Sequence, residues 1–166
     1  MKKIKPLFVV VLFFIGASSF VKAQSNVAHI NTLVLAESMP EMKAAQSQLE
    51  KIQKTHDTEI QTLEKEFDTR VKQYEGEIET NTVEENSKRA EEVQGMQAAI
   101  NAYRQFALDD LQRKQEDLYA PILDKARTAI QKVGRMQGFQ YVMDSNGLLL
   151  AEGKDLLMDV KRELGI

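Results

Sequence analysis

The sequence predicts an α+β protein in which a long antiparallel helical hairpin, a coiled-coil-like arm, projects from a small β-sheet body. Three observations predict it. Residues 41–133 are almost unbroken helix-forming sequence, rich in Glu, Gln, Lys and Ala. Within them Leu49, Ile52 and His56 are followed eleven residues on by Ile60, Leu63 and Phe67, and eleven on again by Val71, Tyr74 and Ile78. Three core positions per eleven residues is a period of about 3.67, that of a straight or slightly right-handed rod rather than a left-handed heptad supercoil. After Gly138 the helical period gives way to short strand-like runs. A rod with one apolar stripe must bury that stripe against something, so packing partners decide what such a chain does.

Taken in order, residues 1–23 form an export signal. Lys2, Lys3 and Lys5 precede a nine-residue apolar run from Leu7 to Ile15, and Val21 and Ala23 occupy the positions read by signal peptidase, which places cleavage before Gln24. Nine residues fall far short of the roughly 20 needed to span a bilayer. The absence of Cys excludes a lipid anchor at the cleavage point and any disulfide. Val27-Ala28-His29-Ile30 is β-prone, and Asn31 and Thr32 can cap the short apolar run over residues 33–36. Ser38-Met39-Pro40-Glu41 reads as a capping box with Ser38 as cap, opening a helix from Met39 to about Glu79. The stripe falters over residues 79–82, and Thr82-Val83-Glu84-Glu85 is a second capping box. A short polar link makes the two helices antiparallel neighbours. A 40-residue arm would reach about 60 Å at ~1.5 Å per residue.

The second helix has a looser stripe: Val93, Met96, Ile100, Tyr103, Ala107, Leu111, Leu118, Ile122, Ala126, Ile130 and Val133. Reflecting the hairpin about Asn81 sets Pro121 beside Glu41, so Pro121 is expected to mark the junction of arm and body. Gly138 is a candidate C-cap. Residues 139–143 and 148–151 then read as strands of a hairpin turning at Asn146-Gly147, and Leu156, Leu157, Val160 and Leu164 share one face of a last helix. The expected division is a leader (1–23), a body (24–38 with 122–166) and an arm (39–121). The three short strands leave edges that another subunit can cover.

Composition excludes several classes of function. The chain has 22 Lys+Arg and 25 Asp+Glu; cleavage removes four Lys and no acid, leaving 18 against 25, a net charge of −7. An acidic chain has no face for phosphate, so neither nucleic acid nor anionic lipid is expected as a partner, and no stable membrane insertion follows once the leader is gone. Seven aromatic residues and no Trp remain after cleavage, a thin core that oligomerisation would complete. No phosphate loop, nucleophile elbow or cysteine motif occurs. His29 and His56 are too far apart in sequence and setting for a metal pair, reading instead as a sheet-edge residue and a tolerated polar position in the stripe. Protonation of His56 is expected to loosen the arm locally. The acid pairs Glu84-Glu85 and Glu91-Glu92 point in different directions on a solvated helix face. No enzyme and no cofactor is expected. Gly76 and Gly95 admit two readings, close helix approach or flexibility near the tip.

The layout resembles the Skp/OmpH family over essentially the whole mature chain. The residues that carry the likeness are Val27-Ala28-His29-Ile30-Asn31-Thr32 leading through Met39-Pro40-Glu41, and, more specifically, Ala120-Pro121-Ile122-Leu123-Asp124-Lys125 with Gly138-Phe139-Gln140-Tyr141-Val142-Met143-Asp144. The resemblance implies a periplasmic homotrimer whose pooled strands form a β body. It also implies a cavity between the arms that holds unfolded outer-membrane β-barrel proteins without ATP. Many weak contacts inside such a cage raise effective client concentration. Known members are basic, whereas this chain is acidic, so lipid or lipopolysaccharide binding is not carried over. Arg104, Arg113, Lys114, Lys125 and Arg127 remain as a possible local positive lining.

The residues expected to build the trimer body are Val27, Ile30, Tyr141, Val142, Leu148 and Leu149. Client contact is expected at Met96, Phe106, Leu108 and Tyr119, which lie on or just off the second stripe, although each is first of all an ordinary core position. A structural scaffold of the cell envelope, with arms making fixed contacts, is the alternative reading.

Overall fold

A computed structural model describes residues 26–166. The leader expected over residues 1–23, with its cleavage point before Gln24, lies outside the described residues. The elements are β1 (Val27–Ile30), α1 (Thr32–Ser38), α2 (Pro40–Glu77), α3 (Val83–Met136), β2 (Tyr141–Asp144), a 3-10 turn (Ser145–Gly147), β3 (Lys154–Asp155) and α4 (Leu157–Leu164). Helices α2 and α3 form the long hairpin and the strands form a three-stranded sheet, as the sequence predicts.

The caps show which local signals acted. Asn31 caps α1, its side chain accepting from the Val34 amide. Thr82 caps α3, accepting from the Glu85 amide. Ser38 does not cap α2: its hydroxyl donates back to the Leu35 carbonyl, and Met39 is the N-cap with no side-chain bond. Pro40 then opens α2, where its missing N–H is not needed.

Helix α3 is much the longer of the two, and this sets the topology. Its lower part runs past the start of α2 and lies along the sheet, burying Ala126, Ala129 and Val133. Gly138, in the left-handed region with φ 79°, lets the chain reverse into β2 at the same end of the body where β1 begins. β2 therefore pairs parallel to β1, with Val27 opposite Tyr141 and Ile30 opposite Asp144. β3 pairs parallel on the other side, and the strand order is β2-β1-β3.

The predicted β-hairpin is not formed. A tight two-residue hairpin at Asn146-Gly147 would need positive φ, yet among the described residues only Gly138 and Gly165 have it. Asp144 decides the outcome. Its carboxylate accepts from the Thr32 hydroxyl (2.5 Å), the Thr32 amide (3.3 Å) and the Asn146 amide (3.0 Å). The chain is thereby turned across the start of α1. Residues 148–151 cross without pairing, and β3 takes the far side of β1. His29 thus stands on the central strand, not at an edge.

Ile30, Leu35, Met39, Leu156 and Val160 are fully buried and form the heart of the body. Met42, Ala45, Leu118 and Tyr119 extend that core into the bases of both arm helices. Bonds from Lys132 to Glu163 (2.5 Å) and from Gln137 to Asp159 (2.9 Å) tie α4 to α3. Gly134 permits close packing of α3 on the sheet: a Cβ there would lie 2.8 Å from Val142 Cγ2. Gly76 and Gly95 face open space, so close helix approach does not explain them.

Candidate functional site

The surface left uncovered by this fold is the candidate site, and it has two parts: the arm and the outer side of the sheet. Along the arm the stripe of α2 faces α3, but only His56, Ile100 and Ala107 are buried above the base. Leu49, Ile52, Ile60, Leu63, Phe67, Val71 and Tyr74 are half-buried, and Ile78 is exposed. A two-helix arm leaves one flank of its stripe without cover.

The hairpin register differs by four residues from the reflection about Asn81. Lys125 pairs with Glu41 in place of Pro121, and Arg89 pairs with Glu77 in place of Glu85. Pro121 lies one turn further up α3, exposed, beside the core residues Leu118, Tyr119 and Ile122. Helix α2 ends at Glu77, two residues earlier than expected, and the link covers residues 78–82.

At mid-arm His56 is held between two partners on α3. Nδ1 lies 3.0 Å from the Tyr103 hydroxyl and Nε2 lies 3.3 Å from Asp110 Oδ2, while Arg113 bonds the other oxygen of Asp110 at 3.1 Å. The rings of Tyr103 and Phe106 stand edge-on to the imidazole at 5.8 and 5.9 Å. These contacts tie His56 of α2 to α3 at mid-arm.

Of the four residues expected to contact client, Phe106 is 51% and Leu108 64% exposed on α3. Met96 is half-buried beside a groove shared with Thr58, Thr62, Lys65 and Thr69. Tyr119 packs against the body core. The basic residues considered for a positive lining are largely neutralised: Arg104, Arg113, Lys125 and Arg127 pair with Glu64, Asp110, Glu41 and Asp124.

On the body, Ala28 and Ile30 point into the core, and Val27 and His29 occupy the opposite, half-exposed face of β1. His29 Nε2 donates to the Gly153 carbonyl at 3.1 Å and so steadies the approach to β3. Of the remaining expected body residues, Val142 is half-buried against α3, Leu148 is half-buried, Tyr141 is 64% exposed, and Leu149 and Leu150 stand out in solvent. A parallel sheet is normally covered on both faces, and here the described residues cover only one. A groove of about 800 Å³ runs beside it, with Leu33, Leu123, Ile130 and Phe139 among its walls and Arg127 and Asp144 at its rim.

Several of these features escaped the sequence reading. Gly134 was invisible because its reason lies in a strand packed from elsewhere. Asp144 followed by Ser-Asn-Gly did carry a signal, that of an Asx turn. Among the described residues no His, Cys, Asp and Glu cluster could hold a metal ion, and no helix is long and apolar enough to cross a membrane.

The described residues thus form a small body bearing one long two-helix arm, with apolar surface on the arm and one sheet face left open. The chain belongs to the family of OmpH-like outer membrane proteins, whose model matches residues 26–164. It is 23% identical over 151 residues to the chaperone protein Skp of Pectobacterium atrosepticum, covering 90% of this chain and 92% of that one. Its fold is similar to the crystal structure of an OmpH-like protein from Caulobacter crescentus assigned as an outer membrane chaperone. That match has a TM-score of 0.76 and 18% identity, covering 86% of this chain and 85% of the other. Membership of this family, which is not enzymatic, supports a chaperone role.

Proposed function

We propose that the protein is an ATP-independent periplasmic holdase, exported by cleavage before Gln24, that binds unfolded outer-membrane β-barrel proteins between the arms of a homotrimer. In this reading residues 24–38 and 122–166 form the trimerisation body and residues 39–121 the arm. The observation that carries it is the combination of apolar side chains left open on a projecting arm, Phe106 and Leu108 foremost, with a sheet face that the described residues do not cover. Extended arms offering many shallow apolar contacts suit a client without fixed structure, since no single pocket has to fit it. Val27 and Tyr141 on the open face of the sheet, with Leu148 and Leu149 beside it, suit burial against further copies, while Val142 supports the body from the α3 side.

The test is dilution of a urea-unfolded β-barrel protein into buffer with and without the purified chain, followed by light scattering. Suppression of aggregation saturating near one trimer per client is the expected result. Unchanged aggregation would reject the holdase and favour a fixed scaffold. Serine at Phe106 and Leu108 should weaken suppression while leaving helix content unchanged, because neither side chain belongs to the buried core.

A further inference from the structure

The far end of the arm carries a surface unlike the rest of it. Between α2 and α3, close to the turn, lies an open cleft of about 330 Å³ whose apolar walls are Val71, Tyr74, Ile78, Ala90 and Val93. One wall is held rigid. The guanidinium groups of Arg89 and Arg70 approach the Tyr74 ring, 4.6 and 5.7 Å from its centre, and its hydroxyl donates to Glu92 at 2.5 Å. Next to the cleft Ile78 is 57% exposed, and beyond it Val83 is 88% exposed. The space is enough for one aromatic or branched aliphatic side chain from outside, the kind of group that contributes most when buried.

The charge around this cleft is one-sided. Residues 70–94 contain seven Glu against Arg70, Lys72, Lys88 and Arg89, and Arg70 is occupied by Glu92 (3.4 Å). Arg89 is occupied by Glu77 (2.7 Å) and Glu85 (3.5 Å), and Lys88 by Glu84 (2.9 Å). Glu75, Glu79 and Glu91 are exposed and have no basic partner among the described residues. Screening confines their influence to about 8 Å at physiological salt, which still covers the rim of the cleft. An approaching segment therefore meets an apolar slot in a negative surround.

We propose that this cleft docks extended stretches of non-native polypeptide in which an aromatic or branched apolar side chain is flanked by Lys or Arg. The proposal rests on the holdase reading and names the class of client sequence that the arm tips select. Charge complementarity chooses the occupant. A second arm tip of the same chain, or an anionic lipid or nucleic acid surface, would bring like charge to Glu75, Glu79 and Glu91 and be repelled.

The experiment is fluorescence anisotropy on the full mature protein with three labelled, unstructured peptides: Phe flanked by Lys, Phe flanked by Glu, and Gly flanked by Lys. The Lys-flanked Phe peptide should bind about ten-fold tighter than either control, with the advantage over the Glu-flanked peptide shrinking as salt is raised. The variant E75K/E79K/E91K changes only exposed side chains without ion-pair partners and should invert the preference between the two Phe peptides. Ala90→Trp should weaken both Phe peptides by occupying the slot. Equal binding of all three peptides, or an unchanged preference in the charge variant, would overturn the proposal. Aggregation of the unfolded β-barrel protein is measured alongside: suppression retained without peptide discrimination rejects the tip alone, whereas no suppression rejects the holdase reading itself.

Discussion

At the scale of single residues, Asp144 has the most consequence for the path of the chain. Its hydrogen bonds from the Thr32 hydroxyl and from the Asn146 and Thr32 amides hold its carboxyl below the usual carboxylate range. A group whose acidity is raised by folding stabilises the folded state above its unfolded value and loses that contribution as pH falls through the lowered one. The body should therefore keep its full stability above about pH 5 and lose part of it as pH falls below about 4. Asp159, lowered by Gln137 and Lys154, acts in the same direction at the α3–α4 contact. Thr32→Val removes the leading donor. It should lower the thermal midpoint at neutral pH by a few degrees and flatten the midpoint's dependence on pH between about 5 and 3. An acid profile identical to wild type would show that Asp144 does not anchor the turn.

Among the elements, the arm is where sequence pattern and structure agree most closely. A period of eleven residues is a local property of α2, so Leu49 to Tyr74 could be placed on the inner face without knowledge of what they meet. Thr82 could likewise be recognised as a cap, because a cap acts within its own helical turn. The strands were less legible. Asn146-Gly147 carries a strong turn signal, but the backbone there obeys the distant bond from Thr32 to Asp144, and Leu148 to Leu150 have no alternation to fix a pairing. The hairpin register slipped for a similar reason, since the link's shape depends on Asn86 Nδ2 donating to the Ile78 carbonyl (2.8 Å) across the turn. Among the client-contact candidates, apolar character was readable but exposure was not: Phe106 and Leu108 face solvent, while Tyr119 is drawn into the body core.

The polar interruption of the arm's stripe has its own energetic test. His56→Ala would leave the Tyr103 hydroxyl without its ring partner and Asp110 with Arg113 alone, costing about 1–3 kcal/mol in denaturant unfolding at pH 7. Replacing the whole constellation by apolar groups of similar shape (His56→Leu, Tyr103→Phe, Asp110→Leu) should recover most of that loss, because no polar group is then left unpaired. If the single substitution costs nothing, the bonds seen at mid-arm do not hold the helices together.

On the scale of the whole molecule, the question is what one chain leaves undone. A three-stranded parallel sheet with strands of four, four and two residues is too small to stand alone. Its inner face is buried by α3, but Val27, His29, Tyr141 and Met143 lie on the other, and Leu149 and Leu150 project beside it. Apolar surface of this kind, at the base of an arm whose own surface is mostly charged, is where burial by further copies gains most. Thermal stability should then rise with protein concentration, as it does whenever the native state is an assembly. Tyr141→Ser with Leu149→Ser tests this with little cost to the protomer, since both side chains are outside its core. Light scattering should report three copies per particle for the wild type and a smaller mass for the double variant, with helix content retained in both. A wild-type chain that stays monomeric at micromolar concentration, with a concentration-independent midpoint, would leave the arms without an enclosure and remove the physical basis for holding an unfolded barrel between them.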